Sequence, residues 1–372
     1  MVGLKLPPLA YALIASRRGE YARRIKAIAG LRSLGFRWVT FMPTYSVADE
    51  VPPRIGEGPG LEELASAVST AVQAGMNVKV EPHLDWETTL TGGAYEWRRR
   101  MYVDPGGEYA ERVLAPLFGL LAEVAASGVQ CAFTLGSELD VSLAAFGYEW
   151  ESTLEVFRSG HPAIPIGHNL NHDTLTSPPD LRRAWNAERV RRGMPVLDWR
   201  TQRRAAANMN RYLGRLDYVG FSFYPNVRSG RSEAWWRGST QALQSRVVGR
   251  TLQNAAQKLT SRLRRACGNH PEFAIGEYGL GCADPAKPWH FDAATLLSGD
   301  RMDPGAVEIR RKFYLGLLAC LRTAPHLFGS HPVTFWTATH YDFLGMLDYP
   351  GCAVFRDDQL RKAVAAYNAE EM

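Results

Sequence analysis

Short apolar runs alternate with longer stretches of helical periodicity from one end of the chain to the other. The runs at 9–15, 37–42, 77–82, 130–135, 163–167, 218–223, 272–275 and 332–336 read as strands. Between and after them lie helical patterns near 19–34, 61–74, 106–127, 145–158, 180–213, 239–267, 304–322 and 358–369. Gly35, Gly75 and Gly128 close the first three as C-terminal caps. Such alternation predicts parallel strands joined by crossover helices, and eight units predict a closed (β/α)8 TIM barrel with long βα loops. No linker, low-complexity tract or repeat interrupts it, so residues 1–372 are expected to form one domain.

The strand bodies are apolar, but the segments just beyond them carry polar and aromatic groups. In strand order these are Tyr45; His83, Asp85 and Trp86; Ser137 and Glu138; Asn169; Tyr224; Glu277 and Tyr278; and Trp336. In a parallel barrel the C-terminal strand ends form the rim where chemistry happens. Glu138 and Glu277 each end an apolar run at a glycine, after strands four and seven. Two carboxylates facing each other across a rim are what glycoside hydrolysis needs, about 5–5.5 Å apart for a retaining mechanism. The other rim residues are candidate substrate contacts. Glu81 is a third carboxylate, which alternation is read to turn away from the cleft into a salt bridge.

These strings resemble the clan A glycoside hydrolases, and within them glycoside hydrolase family 113, the β-mannanases. The matching segments are 35–45 (GFRWVTFMPTY), 74–85 (AGMNVKVEPHLD), 135–140 (LGSELD), 216–224 (LDYVGFSFY) and 275–278 (IGEY), within a span of about residues 30–340. The resemblance implies retention, with Glu277 as nucleophile and Glu138 as acid/base. It also implies that Tyr224 steadies the nucleophile, that Trp336 forms an apolar floor and that His83 bonds a sugar hydroxyl. Many clan members have Asn before the acid/base; Ser137 stands there here. The favoured substrate is a β-1,4-mannan-like polysaccharide. The alternatives are another, anionic bacterial β-glycan, or a glycan-binding barrel that does not hydrolyse.

Composition changes this picture little. The 372 residues carry a net charge of +5, with arginines concentrated at 182–204, a segment that reads as a solvated helical face or as a contact for anionic glycan. Ten Trp and fifteen Tyr suit sugar faces. Five scattered cysteines form no C-x-x-C pair, which excludes a zinc ribbon and fits a reducing compartment. His168, His172 and Asp173 are the one spacing that suggests a metal, and none is expected to be required. No G-x-S-x-G is present, and the G-x-G at 56–58 follows no strand, so serine-hydrolase and phosphate-cradle readings fall away. No cofactor, nucleic acid or membrane partner is expected, and the oligomeric state stays open. Residues 4–16 make a poor signal peptide, so a cytoplasmic location is favoured, although a trimmed secreted chain would look the same.

Overall fold

The computed structural model describes residues 5–48, 53–86, 95–171, 174–175, 178–223, 241–279, 297–298, 301–302, 304–336 and 357–371. Its barrel strands are β1 (Leu9–Ala15), β2 (Trp38–Ala48), β3 (Asn77–Val80), β4 (Cys131–Ser137), β5 (Ile166–Asn171), β6 (Tyr218–Ser222), β7 (Glu272–Glu277) and β8 (Val333–Phe335). From β1 to β7 each pairs in parallel with the next, and β1 pairs with β8. A parallel bridge between Tyr278 and Phe335 closes the ring, with Trp336 N–H donating to Tyr278 O at 2.9 Å. The fold is a (β/α)8 TIM barrel.

Alternation along the strands sorts the residues into two environments. Tyr11 and Leu13, Val39 and Phe41, Val78 and Val80, Phe133 and Leu135, Val219 and Phe221, and Phe273 and Ile275 are buried in one continuous apolar cluster with the helix layer. Burying each such side chain stabilises the fold by about 1.5–3 kcal/mol. The opposite parity points inward. At the bottom of the barrel Ala10, Trp38, Ala132, Tyr218 and Ala274 form a small separate cluster. Above it the interior turns polar: Thr40 and Thr334 hydroxyls meet at 3.0 Å, and Thr134 meets Tyr218 Oη at 2.9 Å.

The structure differs from the sequence expectation in several places, three of them near the mouth or the long crossover. The helical pattern at 180–213 is two helices, Pro178–Arg191 and Trp199–Leu213. Gly193, at φ 69°, and Pro195 end the first, and Asp198 caps the second by accepting from Arg200 and Thr201 N–H. The fifth strand starts at Ile166, after Pro165, and runs to Asn171. Two short helices, Tyr95–Arg100 and Asp140–Ala145, lie beyond the third and fourth strands at the mouth. The predicted caps Gly35, Gly75 and Gly128 all adopt positive φ. Among the described residues no helix is long and apolar enough to cross a membrane.

Candidate active site

Two β-bulges build the site. Between Thr134 and Ser137, β4 spends three steps where β5 takes two, from Gly167 to Asn169. Between Ile275 and Glu277, β7 spends two steps against one on β6, from Phe221 to Ser222. An extra residue reverses the facing of everything after it, which is how bulges re-aim side chains. Ser137 and Glu277 thereby turn into the barrel, whereas strict alternation from Ala132 and Ala274 would turn them out. Glu138 follows in the left-handed region at φ 60°, where a non-glycine residue costs about 1–2 kcal/mol. Its N–H donates to Asn169 O at 2.8 Å, tying that backbone to β5.

Both glutamates are buried, Glu138 at 3% and Glu277 at 1% exposure. Ser137 Oγ donates to Glu277 Oε1 at 3.2 Å, and His83 Nε2 lies 3.0 Å from the same oxygen. Arg98, from the helix Tyr95–Arg100, places Nη1 3.2 Å from Glu138 Oε2, while its Nε and Nη2 donate to Asp85 Oδ1 at 3.2 and 3.0 Å.

Below this pair runs a line of interior polar groups. Lys79, Glu81 and His83 share one parity and are all buried. Lys79 Nζ meets Glu81 Oε2 at 2.7 Å, and His83 Nε2 lies 3.6 Å from Glu81 Oε1. Glu81 thus sits in a salt bridge as expected, but it faces into the barrel rather than away from it. Asn169 Nδ2 lies 2.9 Å from Glu81 Oε1, 3.3 Å from Ser137 Oγ and 3.4 Å from Ser222 Oγ. Gly276 makes room for that amide: a Cβ there would come within 2.1 Å of Asn169 Oδ1.

Burial and the nearby Glu277 charge push the Glu138 carboxyl up to about 7, against Arg98 and the Ser222 hydroxyl. Burial and Arg98 pull His83 down, but its contacts with Glu277 and Glu81 outweigh them and hold it at about 9. Burial also opposes ionisation of Glu81, yet Lys79 and His83 hold its carboxyl well below the usual range. At neutral pH the interior therefore holds an ionised Glu81, a cationic His83 and a Glu138 poised to exchange its proton.

Glu81, His83 and Glu277 each bring one donor atom within 4.8 Å of the others. The donor types suit a metal, but Lys79 already supplies Glu81 with its positive charge at 2.7 Å. His168, from the metal spacing read in the sequence, points outward: Nδ1 meets Tyr212 Oη at 3.1 Å and the ring packs edge-on against Trp150. Its partners in that spacing, His172 and Asp173, lie outside the described residues, as does Tyr224.

The remaining predicted contacts divide. Asp85 and Trp86 stand at the mouth, half-buried, with the Arg191 guanidinium 6.0 Å from the Trp86 ring centre. Trp336 is half-buried on the inward parity of β8, two residues after Thr334. Tyr45 packs against the outer apolar cluster under Gly58, and burial lifts its phenol to about 12. Tyr278 is corrected outright as a substrate contact. The bulge that turns Glu277 in turns it out, where it is fully buried, stacked on Phe313 at 4.7 Å and donating to Phe313 O at 3.0 Å. Sequence reading missed Lys79, Arg98 and Ser222 as members of the site. Three polar residues at spacing two in Lys79-Val-Glu-Pro-His83 were the available signal for the interior line; nothing in the sequence announced Arg98.

No protein-family profile matches the chain, and no curated protein matches its sequence. Solved structures do. A GH113 β-1,4-mannanase superposes with a TM-score of 0.58 at 13% identity, over 98% of both chains. The GH113 β-mannanase from Alicyclobacillus acidocaldarius, in complex with ManMIm, gives 0.51 at 16% identity, again over 98% of both. The exo-β-1,4-mannosidase from Opitutaceae bacterium strain TAV5 gives 0.53 at 16% identity, over 98% of this chain and 60% of that one. At such identities the likeness is one of fold, and it is the fold that the strand-end strings suggested: the barrel of the family 113 β-mannanases.

Proposed function

We propose that the protein is a retaining glycoside hydrolase that cleaves a β-linked glycan, with Glu277 as nucleophile and Glu138 as acid/base. The observation that carries the reading is the pair of buried carboxyls with unequal surroundings. Glu138 is held up to about 7 by burial and by the charge of Glu277, so it retains a proton to give. Glu277 Oε1 accepts from the Ser137 hydroxyl at 3.2 Å and lies 3.0 Å from His83 Nε2, so that carboxyl is held from two sides. A carboxyl with a proton to give beside a carboxyl held in place to attack is the acid and nucleophile assignment of a glycosidase.

In this reading Glu277 attacks the anomeric carbon while Glu138 protonates the departing oxygen. Glu138, now ionised, then takes a proton from the water that releases the sugar. Trp336 and Trp86 offer apolar faces to the rings, and Asp85 accepts from sugar hydroxyls. The fold neighbours named above are β-mannanases and a β-mannosidase, so a β-1,4-mannan-like polymer is the first substrate. Arg98 beside Glu138 and Arg191 over Trp86 favour a second reading, a β-glycan bearing anionic groups. A barrel that only binds glycan has no use for two buried carboxyls with such different polar surroundings. The test is the anomeric configuration of the first product, read by NMR during turnover of mannan and acidic β-glycans. Retention is expected; inversion, or no cleavage of any β-glycan, would remove the reading.

A further inference from the structure

We propose that Glu81 is a third functional carboxylate: a positioning residue that, anchored by Lys79, holds the His83 ring against Glu277 and aligns that carboxylate for attack. The proposal rests on the glycosidase reading for the role of Glu277, but its geometry is independent of it.

Glu81 is fully buried and reached from several sides. Lys79 Nζ lies 2.7 Å from Oε2, Thr134 Oγ1 3.4 Å from Oε2, Asn169 Nδ2 2.9 Å from Oε1 and His83 Nε2 3.6 Å from Oε1. Two routes run from it to one atom of Glu277. The first passes through His83, whose Nε2 is 3.0 Å from Glu277 Oε1. The second passes through the Asn169 amide to Ser137 Oγ at 3.3 Å, and from that hydroxyl to Glu277 Oε1 at 3.2 Å. A carboxylate fixed from two directions at one oxygen keeps the orientation that near-attack geometry demands.

The charges around His83 make Glu81 necessary. Lys79 and Glu81 face it from its own strand segment, Glu277 from β7, Glu138 from the end of β4, and Arg98 from the helix at the mouth beside Asp85. Burial and Arg98 both favour the neutral imidazole; Glu81 and Glu277 favour the cation. Without Glu81 the balance tips towards neutrality, and Glu277 loses its counter-charge. Stability alone does not account for the pair: a buried salt bridge is commonly no better for a fold than apolar side chains of similar volume.

The test compares wild type with Glu81→Gln, and with Lys79→Met/Glu81→Gln, which removes both buried charges and so avoids stranding the lysine. His83 is titrated by NMR of labelled imidazoles, its signal identified by loss in His83→Gln. In both variants it should lose its proton more than about one pH unit below wild type, which is about tenfold in proton affinity. At pH 8 kcat should fall about tenfold or more while KM changes less than about threefold, the pattern of a lost transition-state contribution rather than lost binding. A folded double variant with wild-type His83 titration and a wild-type kcat profile would overturn the proposal. So would a loss of thermal stability with no change in the pH profile. The titration needs no turnover, so its failure is separable from failure of the glycosidase reading, which shows instead as activity surviving Glu277→Ala.

Discussion

Arg98 Nη1 lies 3.2 Å from Glu138 Oε2, so the carboxyl proposed to carry the proton for the leaving group is held against a permanent cation. The two influences on that carboxyl are opposed. Burial and Glu277 raise its proton affinity to about 7, and Arg98 lowers it. The alkaline limb of kcat/KM should therefore fall near pH 7, where Glu138 loses its proton in the free enzyme. Because the two carboxyls interact, this limb reports the pair. Arg98→Met removes the lowering influence, so the limb should move to higher pH. A limb that stays in place or moves down in Arg98→Met would show that another group sets it.

The proposed catalytic pair is separated by leaving-group chemistry. Glu277→Ala should lower turnover of every substrate by at least about 10³-fold, since no covalent intermediate can form. Glu138→Ala should lower turnover of the natural glycan by about 10²–10⁴-fold, the usual worth of general acid catalysis. It should do far less to the first step with activated aryl glycosides, which depart with little protonation. The values of kcat/KM on both substrate types, which report the first step, check this. Equal loss of kcat/KM on both in Glu138→Ala would take the acid role from it.

Gly276 tests the packing beneath the pair. A Cβ at this position would lie 2.1 Å from Asn169 Oδ1 and 2.3 Å from its Cγ, in a closed interior with nowhere for the amide to go. Gly276→Ala should destabilise the barrel by about 1–3 kcal/mol, as overpacking does. It should also move Asn169 off Glu81 and Ser137, so activity should drop further than stability alone requires. Urea denaturation and kcat on the same preparation measure the two effects. A variant as stable as wild type would mean that the amide has room to move.

Chelation tests whether the interior donors work without an ion. Lys79 neutralises Glu81 at 2.7 Å, and His83 is held as a cation between Glu81 and Glu277. A divalent ion would have to enter against both charges. Prolonged treatment with a strong chelator should leave kcat/KM unchanged. Loss of activity restored by one divalent ion would overturn the argument from Lys79.

The barrel and the two glutamates were legible because each apolar run ends at a glycine with a carboxylate one or two residues beyond it, a local pattern that survives any fold detail. The facing of neighbouring residues was not. Each bulge shifts parity by one, so the alternation that places Ala274 inside would place Glu277 outside and Tyr278 inside, the reverse of what is found. Glu81 was misread although its strand carries no shift; Lys79 and His83 on the same parity were the clue to its facing. Arg98 reaches the site from a helix in a loop, and reach across a loop leaves no periodic trace.

The last prediction concerns the arginines at 182–204, expected to be either a solvated face or a contact for anionic glycan. The structure divides them. Arg200 and Arg203 lie over the exposed Trp199, on the outer helix layer. Arg191, at 42% side-chain exposure, pairs with buried Glu188 and stands over Trp86 at the mouth. If an acidic glycan is the substrate, Arg191 is the member of this segment placed to meet a carboxylate beside a sugar ring stacked on Trp86. Its contribution is an exposed charge attraction, screened within about 8–10 Å near physiological ionic strength. Cleavage of an acidic β-glycan should then weaken as salt rises, mainly through KM, while cleavage of neutral mannan changes little. Arg191→Gln should flatten the salt dependence on the acidic polymer, and Arg203→Gln should leave both substrates unaffected. Equal salt dependence on both polymers, or no effect of Arg191→Gln on either, would leave the whole segment as a solvated helical face and the neutral mannan-like substrate as the better reading.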